Sequence, residues 1–125
     1  MKRLMLLCLA LVFVAACDSG PSGPGDVTAS VTASGQDLGA AVVQVIGGGI
    51  ESFSGTAGTQ VIWAQQENPV LFRVVVIANP GGELRFSAKV QDRGGRLPRA
   101  SIVGAVDGQN QPIPVTEALA VSFSR

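Results

Sequence analysis

The side chains able to do covalent or acid–base chemistry are few in this chain: two cysteines, no histidine, nine carboxylates and a scatter of serines. Without histidine, neither a Ser-His-Asp nor a Cys-His arrangement can be assembled, and the usual His/Cys zinc sites are excluded. Glu51, Glu67, Asp92 and Asp107 would suit glycoside hydrolysis if two of them stood about 5–10 Å apart. Each lies in or beside a turn-forming segment, where a carboxylate caps the turn or meets water. Asp107-Gly108-Gln109-Asn110 offers oxygen ligands but lacks the spacing and distal Glu of a calcium loop, so it reads as an Asx turn. Ser52, Ser54, Ser87, Ser101, Ser122 and Ser124 have no base partner and no Gly-x-Ser-x-Gly elbow. Gly47-Gly48-Gly49 follows an apolar run without the Lys-Ser/Thr pair or helix of a phosphate loop. These residues point to no enzyme, no cofactor and no metal.

One thiol has neighbours that specify its chemistry. Lys2 and Arg3 precede an apolar run from Leu4 to Val14, and Ala15 and Ala16 lead to Cys17. The run is about two-thirds of the roughly 18 residues that a membrane span needs, so it reads as the core of a signal peptide. Val14-Ala15-Ala16-Cys17 resembles the lipobox of bacterial lipoproteins. The resemblance implies a diacylglycerol on the Cys17 thiol, cleavage before Cys17, and acylation (palmitate) of the new amine. The alternative is an ordinary secretory peptide cut after Ala15 or Ala16, leaving Cys17 a free thiol. Asp18 resembles the residue that retains lipoproteins in the inner membrane of enteric bacteria. Cys8 leaves with residues 1–16, and a lipidated Cys17 leaves no thiol for a disulfide or a metal.

Residues 17–26 form the lipidated cysteine and its tether. Asp18 to Asp26 is built of Gly, Pro, Ser and Asp and has nothing apolar to bury. Nine residues reach about 30 Å at most. Removing Lys2 and Arg3 with the signal peptide leaves seven cations against nine carboxylates, a balance of about −2 spread along the chain. No clustered basic footprint of a nucleic-acid binder is present. Arg93, Arg96 and Arg99 come nearest, but they alternate with Gly94, Gly95 and Pro98 and read as a solvated loop rather than an anion site.

Residues 27–125 suffice for one small domain that would hold together by its core alone. Leu84, Phe86, Ala88 and Val90 alternate with Arg85, Ser87, Lys89 and Gln91, the pattern of a strand with one buried and one wet face. Val27 to Ser34 and Leu119 to Ser124 alternate in the same way. Val70 to Ala78 is apolar except for Arg73 and reads as a central strand covered on both faces. Further strands are expected at 40–46, 59–65 and 100–106, with a short apolar segment near 50–53. Gly47-Gly48-Gly49, Asn68-Pro69, Asn79-Pro80-Gly81-Gly82, Gly94-Gly95 and Asp107-Gly108 separate the runs. The expected fold is all-β: an antiparallel β-sandwich of seven to eight short strands with Greek-key or jelly-roll connections.

The segment Ala100 to Phe123, a strand followed by an Asp-Gly turn and a last alternating strand, resembles the end of a cohesin-type module. Arg73 to Val90 is similar to the middle pair of strands in such modules, and Asp37 to Phe53 is similar to their opening strands. The resemblance implies a jelly-roll sandwich, a fold shared with some carbohydrate-binding modules, and a general role in recognition. No dockerin-contact residue can be matched by position.

The expected function is a non-catalytic protein–protein interaction or structural module, lipid-anchored to a membrane of the bacterial cell envelope and partnered by another envelope protein. The candidate surface is the polar row of Arg85, Ser87, Lys89 and Gln91, with Arg85 and Lys89 as its charges. The alternative is glycan binding at the envelope, for which Trp63 is the candidate contact. Of the other aromatics, Phe53, Phe72, Phe86 and Phe123, the last two follow the buried phase of their strands and Phe72 lies in the central strand, and a single tryptophan makes a small platform for a sugar ring.

Overall fold

The computed structural model describes residues 22–125 apart from 36, 57, 79–82 and 116–118. The expected signal peptide and Cys17 lie outside these residues. Nine strands and no helix occur among the described residues: β1 (Gly25–Ala33), β2 (Leu38–Ile46), β3 (Ile50–Gly55), β4 (Gln60–Gln65), β5 (Leu71–Ile77), β6 (Leu84–Val90), β7 (Arg99–Asp107), β8 (Pro112–Ile113) and β9 (Leu119–Ser124). They form two antiparallel sheets packed face to face, ordered β3-β6-β1-β9 and β4-β5-β2-β7-β8. Only β4–β5 and β7–β8 are hairpins. Every other connection crosses from one sheet to the other, as the expected sandwich requires.

The core follows from the period of two. Val27, Ala29 and Val31 of β1, Val43 and Val45 of β2, Phe72, Val74 and Val76 of β5, and Leu84, Phe86 and Ala88 of β6 all point between the sheets and are buried. Phe86 lies at the centre, edge-on to Phe123 with centroids 5.7 Å apart and tilted against Phe53 at 6.1 Å. Gly39 lets β2 start directly beneath the next hairpin, because a Cβ there would collide with the Asp107 carbonyl.

Four expectations shift. β1 begins at Gly25, two residues before the expected domain start, and Gly23 is already fixed: its N–H donates to Asp92 Oδ1 and its carbonyl accepts from Arg93 N–H. β8 is a ninth strand of two residues, returned against β7 by the turn that Asp107 organises. Ser87 is buried, set between Thr28 and Ser54 in the middle of its sheet, so the polar row on β6 is interrupted. Finally, β5 is flanked by β4 and β2 but covered on one face only, with Phe72, Val74 and Val76 in the core and Arg73 exposed. Its apolar outward residues are left half-buried at the surface.

Candidate binding surfaces

The two outer faces of the sandwich have opposite character. On the four-stranded sheet, the paired rows read Ser54–Ser87–Thr28–Ser124 and Arg85–Ser30–Ser122 across the strands. Arg85 and Lys89 are exposed on this face, and each has a carboxylate: Arg85 Nε lies 2.9 Å from Glu83 Oε2, and Lys89 Nζ lies 3.7 Å from Glu51 Oε2. Exposed pairs of this kind contribute at most about 1 kcal/mol. They nevertheless leave both cations locally compensated.

On the five-stranded sheet two neighbouring rows are apolar, and the row beyond them, Ala64–Arg73–Gln44–Ser101, is polar. Ile62 pairs with Val75, Val75 with Val42, and Val42 with Gly104, beside which Val103 bulges outward. The next row runs from Gln60 through Ile77, Ala40 and Val106 to Pro112. Ile62 is 64% exposed, and Ile46 and Val103 are each 46% exposed. No described element covers this face. Its signal in the sequence is that 40–46, 70–78 and 100–106 are apolar in both phases apart from Gln44, Arg73 and Ser101, whereas 84–91 alternates.

β4 forms the open edge of the same sheet. Its sequence, Gln-Val-Ile-Trp-Ala-Gln, contains no charge and no proline. Gln66 N–H donates to the Leu71 carbonyl, and alternate residues of an antiparallel pair exchange both bonds. The backbone groups of Val61, Trp63 and Gln65 therefore point away from β5 toward the free edge. The Trp63 side chain lies on the core side, 5.5 Å from the Phe53 ring and 6.1 Å from Phe72, with 37% of the residue exposed. It is wedged at the rim rather than laid flat on the surface.

The carboxylates weighed for chemistry do not converge. Asp92 accepts from Gly23 and Gly94 N–H at one end of the sandwich. Asp107 accepts from Gln109 and Gln111 N–H at the other, in the Asx turn expected from its sequence. Glu51 faces Lys89, and Glu67 is exposed in the β4–β5 loop. Among the described residues no group of three or more His, Cys, Asp or Glu side chains gathers as a metal site.

Arg93, Arg96 and Arg99 are placed together. They line a cleft of about 560 Å³ at the end of the sandwich where the chain enters β1, with Gly47–Gly49 opposite and Val27, Val90 and Leu97 in its lining. Arg125 reaches the same loop, donating from Nε to the Arg93 carbonyl at 2.7 Å and from Nη2 to the Gly95 carbonyl. Residues 93–98 form a loop as expected, but no sequence pattern marks these side chains as sharing a cavity.

No family model, curated protein or solved structure matches this chain.

Proposed function

We propose that this protein is a lipid-anchored, non-catalytic binding module of the bacterial cell envelope, and that it holds an extended segment of another envelope protein along β4. The observation that carries this reading is the uncharged open edge of β4, continuous with the uncovered apolar face of Ile62, Val75, Val42 and Val103. An exposed flat edge without charge, proline or bulge is a template for strand addition. An incoming strand would exchange main-chain bonds with Val61, Trp63 and Gln65, and its alternate apolar side chains would continue the row that starts at Ile62. The other edges are less suited: β8 has two residues and a proline, β3 bulges beside Glu51, and β9, uncharged like β4, borders the polar sheet, where its outward residues are Ala120, Ser122 and Ser124. The cohesin-type resemblance of 73–90 and 100–123 points toward recognition as well. A lipid on Cys17 would confine the domain to a membrane surface and raise its effective concentration toward its neighbours.

Gln65→Pro tests the edge. The Gln65 N–H faces outward, so proline removes a donor from the free edge and leaves the bonds to β5 intact. Partner recovered with the membrane-bound protein after crosslinking is expected to fall at least tenfold, with the circular dichroism spectrum unchanged. The double charge reversal Arg85→Glu/Lys89→Glu is expected to leave recovery within twofold. The reverse ranking would move the interface to the polar sheet, and glycan retention lost on Trp63→Ala in a folded protein would favour sugar binding.

A further inference from the structure

The cleft at the entry end of β1 gathers more positive charge than the domain neutralises there. Arg93, Arg96 and Arg99 have no carboxylate within ion-pair distance among the described residues. Asp92, the acidic group in the lining, has its Oδ1 taken by the Gly23 and Gly94 N–H groups. The Arg93 side chain lies folded over Gly25, where a Cβ would collide with it, and its Nε is buried with no hydrogen-bond partner. The Nε–H is thus out of water without a partner, while the residue as a whole is half-buried. An unpaired buried donor costs free energy, and an anion entering the cleft would offset the uncompensated charge beside it. Guanidinium groups bind phosphate with two parallel N–H···O bonds, and several around one cavity fix its position.

The direction in which the cleft faces identifies the source of the anion. Gly23 is pinned to the same loop, and six residue steps separate it from Cys17. Fully extended, that length is about 20 Å. A lipid on Cys17 would therefore hold the arginine end of the sandwich beside the headgroups, with the acidic turns at Asp37 and Asp107 at the far end. Val27, Val90 and Leu97 give the cleft an apolar floor, which suits a phosphate that carries a glycerol and the start of acyl chains. We propose that this cleft is a phosphate site that seats the headgroup of an anionic phospholipid from the membrane holding Cys17. The headgroup assignment rests on the lipid-anchor reading above, whereas the phosphate site does not.

Two arms separate these. In neutral detergent, the full-length lipidated protein is titrated with glycerol 3-phosphate and with inorganic phosphate, following backbone amide shifts. Saturable shifts confined to 47–49 and 93–99 are expected, with a midpoint raised at least tenfold in Arg96→Glu/Arg99→Glu and to an intermediate degree in Arg96→Gln. Sodium chloride at equal ionic strength reproducing the shifts, or indifference to both variants in a folded protein, would overturn the site. In nanodiscs with spin-labelled headgroups, 93–99 should broaden when a fifth of the lipid is phosphatidylglycerol, and not in pure phosphatidylcholine. Equal broadening in both, or broadening centred on 107–111, would overturn the headgroup assignment. A protein that never enters the discs yet still titrates with phosphate would reject the anchor and keep the anion site.

Discussion

Phe86→Ala is expected to destabilise the domain by about 3–5 kcal/mol, the range for emptying a fully buried aromatic site. Phe86 has no exposed surface and lies between Phe53, Phe123 and the inward residues of β1, so its removal leaves a void that two sheets must share. A small single domain has only about 5–15 kcal/mol in total, and residues 27–125 contain no cysteine that could staple it. A urea denaturation curve is the measurement. The midpoint should drop sharply with little change in slope. A shift worth less than about 1 kcal/mol would mean that the two sheets do not pack through Phe86.

Cys17→Ser is the substitution with the largest expected effect on location. If the thiol carries diacylglycerol, serine abolishes both lipid transfer and the cleavage that follows it. Precursor of full length should accumulate without acyl label, and the mature species should vanish rather than diminish. Intact-mass measurement of the wild-type protein should give a chain starting at an acylated Cys17. An unmodified chain starting at Ala16 or Cys17 would establish the ordinary secretory alternative, and with it a domain free of the membrane; one starting at Asp18 or later would equally rule out the lipid.

Much of the fold was legible because strand positions are written locally. Leu84, Phe86, Ala88 and Val90 face the core as their alternation with Arg85 and Lys89 required. β8 was not legible because two residues after a turn carry no period, and Pro112 argues against a strand. Strand order was also beyond reach: β6 pairs with β1 across more than fifty residues, a choice made by the packed core rather than by either segment. The apolar face was half legible. Val70 to Ala78 announces two apolar faces, but a sequence does not distinguish cover by its own chain from cover by a partner. The arginines show the converse limit. Gly94, Gly95 and Pro98 impose no period on Arg93, Arg96 and Arg99, so only the fold brings them around one cleft, and Arg125 joins them from the far end of the chain.

Photocrosslinking in intact cells distinguishes an envelope protein added as a strand at β4 from one bound at the polar sheet. A photoreactive amino acid placed at Ile62, and in separate variants at the exposed Arg85 and Ser122, reports which outer face meets a partner. Strand addition at β4 predicts one discrete adduct from position 62, lost when Gln65→Pro is combined with it, and none from positions 85 or 122. Adducts from the polar sheet alone, or an adduct from position 62 that survives Gln65→Pro undiminished, would contradict it.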